Sequence, residues 1–377
     1  MHVLLSRYTN GLISVSAALC LAVTPALADI KIGFHAPTTG FGAADGASAK
    51  VAAELAVDDI NKNGGMAGEK VVLVSYDDQA QPQQSIIIAH KLISQDGVDF
   101  AISGSYSDAT RAAASVFQGA SIPYISSYAT HPAITQAGNY VFRPFKLGPE
   151  QAASAAYFLH DTLKARKIDV LAVDNDYGQG VLSGFKPAAQ AAGLETAGSY
   201  TFGMKDRQFG SIVSSVKRDQ PDAVFLAGQF FHGGPIAIQL RAAGIKVPIV
   251  GTQGLDSDAL ISIGGAAVDG VYVVNGLNRD NPDPTFQHLM SVLKEKKAES
   301  PAVAAAVYSA FMLLDDAVKR AGTKDKAKVR DALQATTNFP HFYGTLASFT
   351  PEREAKLPTP VIEVKDGKFV SAGSLSK

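Results

Sequence analysis

The chain has no tryptophan and only one cysteine, Cys20, among its 377 residues. A single cysteine cannot close a disulfide within the chain, so the fold must rest on an ordinary hydrophobic core, which a chain this long builds most naturally as two domains. Without tryptophan, any aromatic contacts must come from the 12 tyrosines and 19 phenylalanines. An excess of one charge is missing as well. The 34 basic and 35 acidic residues are spread without blocks, which argues against a nucleic-acid partner, and no basic amphipathic helix points to a membrane surface.

Catalytic and cofactor signatures are equally scarce. No GxxxxGK[ST] phosphate loop occurs, and Gly40-x-Gly42-x-x-x-Gly46 misses the dinucleotide fingerprint by one residue. Asp174-x-Asp176-x-Gly178 starts like a calcium loop, but its glycine comes early and Phe185 stands where the bidentate acid belongs. His35, His90, His131, His160, His232, His288 and His341 lack metal-ligand spacing, and no serine sits in a GxSxG elbow. The carboxylate pair Asp77-Asp78 ends a strand and reads as loop hydrogen bonding. The expectation is a protein that is not an enzyme and needs no metal or cofactor.

What is present begins with the N-terminus. Arg7 is the only formally charged side chain before Asp29, and an apolar run from Gly11 to Val23 is followed by Thr24-Pro25-Ala26-Leu27-Ala28. This pattern predicts a secretory leader cleaved after Ala28. The run is shorter than the roughly 20 residues of a spanning helix. Cys20 could be a lipid-attachment site, but Leu19 precedes it where Gly or Ala is usual. Cleavage would leave a cysteine-free chain with a net charge of about −2.

The next stretch can be read almost residue by residue. Ile30, Ile32 and Phe34 alternate as in a strand, and a loop rich in Gly and Thr follows from Pro37 to Gly46. Residues 47–60 carry Val51, Leu55 and Ile60 at helical spacing, Asn63-Gly64-Gly65 stops the helix, and residues 71–76 form the next strand. This is a βαβ unit whose loop lies at the carboxyl end of its first strand, where open α/β sheets place ligands. The alternation continues. Helices are expected at 85–94, 108–119, 150–163, 179–192, 209–218, 234–243, 257–263, 300–321 and 326–335. Strands are expected at 100–103, 123–126, 169–173, 199–202, 223–227, 247–250 and 270–274, with a β-rich tail at 343–370. The fold class is α/β, in two lobes, each a mainly parallel sheet flanked by helices.

Four strings, IGFHAPTTG, NKNGGMAGEKVVLVSYDDQAQP, DYGQG and QLRAAGIKVPIVGTQG, occur in order along the mature chain. In these the chain resembles the periplasmic substrate-binding proteins of branched-chain amino-acid ABC transporters, the leucine/isoleucine/valine-binding family. The resemblance implies a type I clamshell with three interlobe crossovers, near residues 147, 274 and 348. Residues 1–28 would be the signal peptide, 29–147 plus 275–347 lobe 1, and 148–274 plus 348–377 lobe 2. It further implies a monomer in the periplasm, with a small-molecule ligand held between the lobes and an inner-membrane ABC permease as partner.

The residues themselves suit such a site. Gly104-Ser105-Tyr106-Ser107-Asp108 follows a strand and opens a helix, so free backbone N–H groups and the Ser107 hydroxyl would converge on a carboxylate, beside Tyr106. Ser126-Ser127-Tyr128-Ala129-Thr130 closes the next strand in the same way. The resemblance assigns ligand contacts to the backbone of Tyr128 and the hydroxyl of Thr130, and makes Tyr177 the tyrosine that covers the ligand. The ordinary alternatives are Ser and Thr that only cap helices and a tyrosine that only fills the core. Other positions depart from the family. Gln253 stands where an acid pairs with the α-ammonium, so Asp256 or Asp45 would have to compensate, and Asp45 replaces an aromatic wall residue. Gln229 stands where a tyrosine is frequent, beside Phe230 and Phe231, and Val303 and Ala304 replace larger side chains. A roomier, more polar pocket follows. The first reading is delivery of a branched-chain or related amino acid to a permease. The alternative is a sensing receptor of the same fold for an amide, aromatic or other organic acid.

Overall fold

The computed structural model describes residues 29–375. The expected leader, its cleavage after Ala28 and Cys20 lie outside the described residues.

Five short apolar runs make the first sheet: β1 (Ile30–Ala36), β2 (Val71–Asp77), β3 (Phe100–Ser103), β4 (Tyr124–Ser126) and β5 (Val141–Phe142). All pair in parallel, in the order β2-β1-β3-β4-β5. Ile32 of β1 lies opposite Leu73 on one side and Phe100 on the other. Parallel neighbours need crossovers, which α1 (Ala43–Lys62), α2 (Pro82–Lys91) and α3 (Ser107–Gly119) supply. Helices on both faces bury every residue of β1 except Lys31, which is why the strand is nearly all apolar.

The second sheet repeats this plan. α4 (Gly148–Tyr157) leads into β6 (Lys167–Val173), α5 (Asp176–Ala192), β7 (Glu195–Phe202) and α6 (Gly210–Asp219). Next come β8 (Ala223–Ala227), α7 (Phe230–Ala242), β9 (Ile249–Thr252), α8 (Asp258–Gly264) and β10 (Val271–Val274). Counted from β6, the parallel order β10-β9-β8-β6-β7 is the order of the first sheet. In this order the direction of winding reverses beside the first strand, between β1 and β3 and again between β6 and β8. The carboxyl ends of strands at such reversals form crevices.

After β10 the chain returns to the first layer. α9 (Pro284–Glu295) and α10 (Pro301–Ala321) pack against α1, and α11 (Lys326–Gln334) packs against α10. α10 is long and apolar enough to cross a membrane, yet 89% of its apolar window is buried inside the protein, so it serves as a core helix. The hairpin β11 (Thr337–His341) and β12 (Gly344–Ser348) follows. Residues 353–355 then hydrogen-bond beside the end of β5, through Arg143 N–H to Arg353 and Ala355 N–H to Arg143. Only afterwards does β13 (Thr359–Lys365) join the second sheet, antiparallel to β10, with β14 (Lys368–Leu375) at its edge. The third passage, expected near 348, therefore lies beyond Ala355.

Other differences are local and have local causes. α9 falls in a stretch to which the sequence pattern assigns no element. Asp283 accepts the Phe286 N–H at 2.9 Å as an N-cap, Pro284 takes the first helical position, and Phe286, Leu289 and Leu293 face the core. α7 starts four residues before the expected 234 and carries Pro235 within its first turns. Asp77 and Asp78 bind loop amides as read: Asp78 accepts from Ala80 N–H at 2.8 Å and meets His35 Nδ1 at 2.6 Å, while Asp77 accepts from Gln79 N–H at 3.0 Å.

α1 begins at Ala43, inside the expected loop, which places Asp45 in its first turn. The cause is Gly46, whose hypothetical Cβ would lie 2.1 Å from the Pro37 carbonyl oxygen. Gly46→Ala is thus expected to push the start of α1 off β1, costing about 1–3 kcal/mol of stability as in other overpacked sites, read as a lower denaturant midpoint at unchanged m-value.

Candidate functional site

A narrow cavity lies between the carboxyl ends of the two sheets. The first layer lines it with Asp45, Tyr106, Ser107, Tyr128, Ala129, Thr130 and Val303; the second contributes Tyr177, Gln229, Gln253, Gly254 and Asp256. All nine residues singled out from the sequence reach this one cavity. Topology is the reason: the residues after β1, β3 and β4 gather at the carboxyl edge of the first sheet, and those after β6, β8 and β9 at that of the second, around the two winding reversals. Val303 contributes to the wall and Ala304 does not.

The first-layer wall is rich in hydrogen-bond donors. Ser107 is the first residue of α3, and no side chain caps that helix end, so its leading amides are free of intrahelical partners. The Ser107 hydroxyl accepts the Thr130 N–H at 3.3 Å, which leaves its own hydrogen to donate. Thr130 Oγ1 is buried without a protein partner, as are Ser105 Oγ and Ser127 Oγ. Tyr128 directs its hydroxyl away, to the Gly104 carbonyl at 3.0 Å. The loop that carries Thr130 is clamped from below by Arg143. Its Nη1 donates to the carbonyls of Ala129 at 3.0 Å and His131 at 2.9 Å, and Glu354 takes the other face of the guanidinium through two bonds of 2.7 Å.

The second-layer wall is tightly packed. Tyr177 Oη lies 2.7 Å from Thr252 Oγ1, and burial pushes the phenol up to about 12. Gln229 is the N-cap of α7, and its amide N–H donates to His232 Nδ1 at 3.2 Å. His232 Nε2 then donates to the Met204 carbonyl at 2.9 Å; burial holds this ring down to about 4, so it is neutral. Gly254 has to be glycine here, since a Cβ would sit 2.6 Å from both the Gly228 carbonyl oxygen and Tyr177 Oη. The Gln253 backbone is anchored by its N–H to Gln151 Oε1 at 3.3 Å.

Both candidate acids face the cavity, but in different states. Asp256 receives Arg279 Nη2 at 2.6 Å and the Leu277 N–H at 2.6 Å. Burial pushes its carboxyl up and the guanidinium pulls it down. Asp45 accepts the Tyr106 hydroxyl at 2.7 Å and the Ser300 hydroxyl, and burial pushes it up to about 6. The sequence reading missed Ser300 and Arg279. Ser300 opens the SPAVAAAVY helix and had a visible signal as an N-terminal serine; Arg279 is an isolated charge in a loop and had none.

The two layers also touch around the cavity. Phe41 packs edge-on against Phe231 with centroids 5.5 Å apart, and it stacks on Tyr106 at 6.2 Å. Beside the α3 start, Arg111 forms an ion pair with Asp176, whose N–H donates to Asp108 Oδ1 at 3.3 Å.

The profile of the periplasmic binding protein family matches residues 29–368. The chain is 30% identical over 350 residues to Leu/Ile/Val-binding protein homolog 3 of Brucella melitensis, covering 92% of this chain and 94% of that protein. It is 28% identical over 340 residues to the leucine-, isoleucine-, valine-, threonine- and alanine-binding protein of Pseudomonas aeruginosa, covering 88% and 90%. Among solved structures, it is similar to the leucine-binding protein LivK of Thermotoga maritima, with a TM-score of 0.85 at 26% identity over 92% of this chain and 98% of that one. The isoleucine complex of LivJ from Streptococcus pneumoniae gives the same TM-score, 0.85 at 26% identity, over 92% and 99%.

Arg279→Met would leave Asp256 buried without its counter-charge, a loss of about 3–5 kcal/mol near neutral pH. An unfolded aspartate stays ionised down to about pH 4, whereas the buried one takes a proton sooner, so the deficit should shrink on acidification. Denaturant titrations of both proteins from pH 7 to 4.5 check this; a deficit constant with pH would show that lost packing, not charge, is the cause.

Proposed function

The chain belongs to the periplasmic binding proteins, in the Leu/Ile/Val-binding family with its type I two-lobed fold. From that premise we propose that it captures an amino acid outside the cytoplasm, closes its lobes on it and delivers it to an inner-membrane ABC permease. The observation that carries the proposal is the cavity itself, walled by the strand ends of both sheets, with unpartnered donors on one side. A carboxylate would take the Ser107 and Thr130 hydroxyls and the first amides of α3, where the helix dipole favours an anion. Tyr128, Tyr106, Tyr177, Gln229 and Gln253 would enclose the rest.

A ligand favours the closed state only by binding it better than the open one, and contacts from two lobes provide that difference. The lobes comprise 29–147 with the 275–355 segment, and 148–274 with the C-terminal strands, joined by three passages that act as the hinge. Micromolar affinity needs about 8 kcal/mol, within reach of a few charge-assisted hydrogen bonds and an enclosed wall. In this reading the leader is removed after Ala28 and the mature protein works in the periplasm as a monomer. It makes and breaks no bond.

A second reading, a sensing receptor for an amide, aromatic or other organic acid, draws on the neutral Gln253. A thermal-shift screen separates the two, because a specific ligand raises the melting temperature by mass action. Mature protein stripped by unfolding and refolding is tested against the twenty amino acids, γ-aminobutyrate, short amides and aromatic acids. Stabilisation by leucine, isoleucine or valine is expected; stabilisation only by compounds lacking an ammonium group would favour the second reading.

Closure also predicts a small role for the rim ion pair. The Arg111 side chain is half exposed. Arg111→Ala should therefore weaken binding of the best amino acid by no more than about 1 kcal/mol, and the deficit should fade in 1 M salt, leaving global stability unchanged.

A further inference from the structure

We propose that Asp45, from the first lobe, supplies the negative charge that meets the ligand's ammonium group, so that the site selects ammonium carboxylates over carboxylates of the same shape that lack the ammonium. The inference rests on the solute-binding reading above and specifies its ligand class.

The argument is a charge account of the cavity wall. Its only charged lining residues are Asp45 and Asp256; lysine, arginine and histidine do not occur among them. Asp256 already has a buried counter-charge, since Arg279 sits 2.6 Å from one of its oxygens and reaches the half-exposed Asp258 less closely, at 3.2 Å. Asp45 has no such partner. Its carboxylate is held by two hydroxyls, those of Tyr106 and Ser300, and among the described residues it makes no ion pair. The closed cavity thus carries one uncompensated negative charge, 4% exposed. Burying it alone is unfavourable, and a cation brought by the ligand removes the penalty.

Acceptor capacity remains as well. An ionised carboxylate offers about four lone-pair sites, and the two hydroxyls use one on each oxygen. The same hydroxyls fix its orientation: Ser300 Oγ lies 2.8 Å from Ser257 Oγ of the second layer, and the Ser300 N–H donates to Ser48 Oγ at 3.0 Å. Together with the donor group at Ser107 and Thr130, the wall presents one site for an anion and one for a cation. That is the pattern of a zwitterion.

The pH dependence follows from the groups that face Asp45. These are the phenols of Tyr106, Tyr128 and Tyr343, which burial keeps neutral, and Asp256 with its Arg279. In the free protein Asp45 is pushed up to about 6. Below that pH, binding an ammonium must first expel a proton, so affinity rises with pH through this range and then levels off.

Calorimetric titration of wild type and Asp45→Asn tests the proposal with L-leucine, L-isoleucine, L-valine and γ-aminobutyrate. 2-Hydroxy-4-methylpentanoate and 4-methylpentanoate serve as probes lacking the cation. The variant should lose affinity for the ammonium ligand by about 30-fold or more, the usual effect of removing one partner of a buried charge pair, while binding the two anionic probes that lack the ammonium no more weakly than wild type does. Wild-type affinity for the ammonium ligand should climb between pH 5 and 7, and the variant's should not. Undiminished amino-acid binding by Asp45→Asn would overturn the inference and leave the amino-acid reading standing. Wild-type binding of an organic acid but of no ammonium ligand would overturn both. Should the variant fail to fold, wild type alone decides: a hydroxy acid bound as tightly as leucine, or a flat pH profile, refutes the role of Asp45.

Discussion

A buried guanidinium organises the ligand-facing side of this protein. Arg143 is completely shielded from solvent, so each of its donors must find an acceptor. It finds the carbonyls on either side of Thr130 and both oxygens of Glu354. The first pair sets the loop whose Thr130 hydroxyl lacks a protein partner; the second ties that loop to the last segment before the chain leaves for the second sheet. Bidentate pairing makes this geometry specific, and the cost of leaving either charge unpaired keeps it intact. The candidate site and the last segment before the second sheet therefore share one electrostatic anchor.

The remaining architecture brings two equivalent crevices face to face. Each sheet reverses its winding beside its first strand, which leaves a gap at the carboxyl end that side chains from two neighbouring loops can enter. In the first sheet the gap is lined by Asp45 in the first turn of α1 and by Tyr106 and Ser107 at the start of α3; in the second it is lined by Tyr177 and Gln229 at the starts of α5 and α7. Small residues allow the close approach. Gly46 seats α1 on the Pro37 backbone and so delivers Asp45, and Gly254 lets the β9 loop press against Tyr177.

Much of this is legible in the sequence, for reasons that can be located. Ile30, Ile32 and Phe34 alternate, and β1 is a strand; Val51, Leu55 and Ile60 keep helical spacing, and α1 is a helix. α9 is not legible in the same way, because its cap at Asp283-Pro284 lies within a polar stretch that reads as loop, and its apolar face is narrow. The start of α1 is hidden because glycines at 40, 42 and 46 signal a loop, while the structure uses Gly46 for contact. In the cavity, positions that follow strand ends bring all nine residues to one edge. What those residues touch cannot be read from spacing.

The sequence by itself determined the alternation of strands and helices, the binding edges at the strand ends and the family to which the chain belongs. These rest on periodicity, turn residues and short strings, all of which act over a few positions. Only the tertiary structure decided how the charges are balanced. Asp45 meets Ser300 across 255 residues of chain, and Asp256 meets Arg279 across 23. Pairing at such separations depends on how helices and loops pack, and burial then determines what each charge costs. Two acids equivalent on paper thereby became unequal, one with a buried counter-charge within the protein and the other facing the cavity without one.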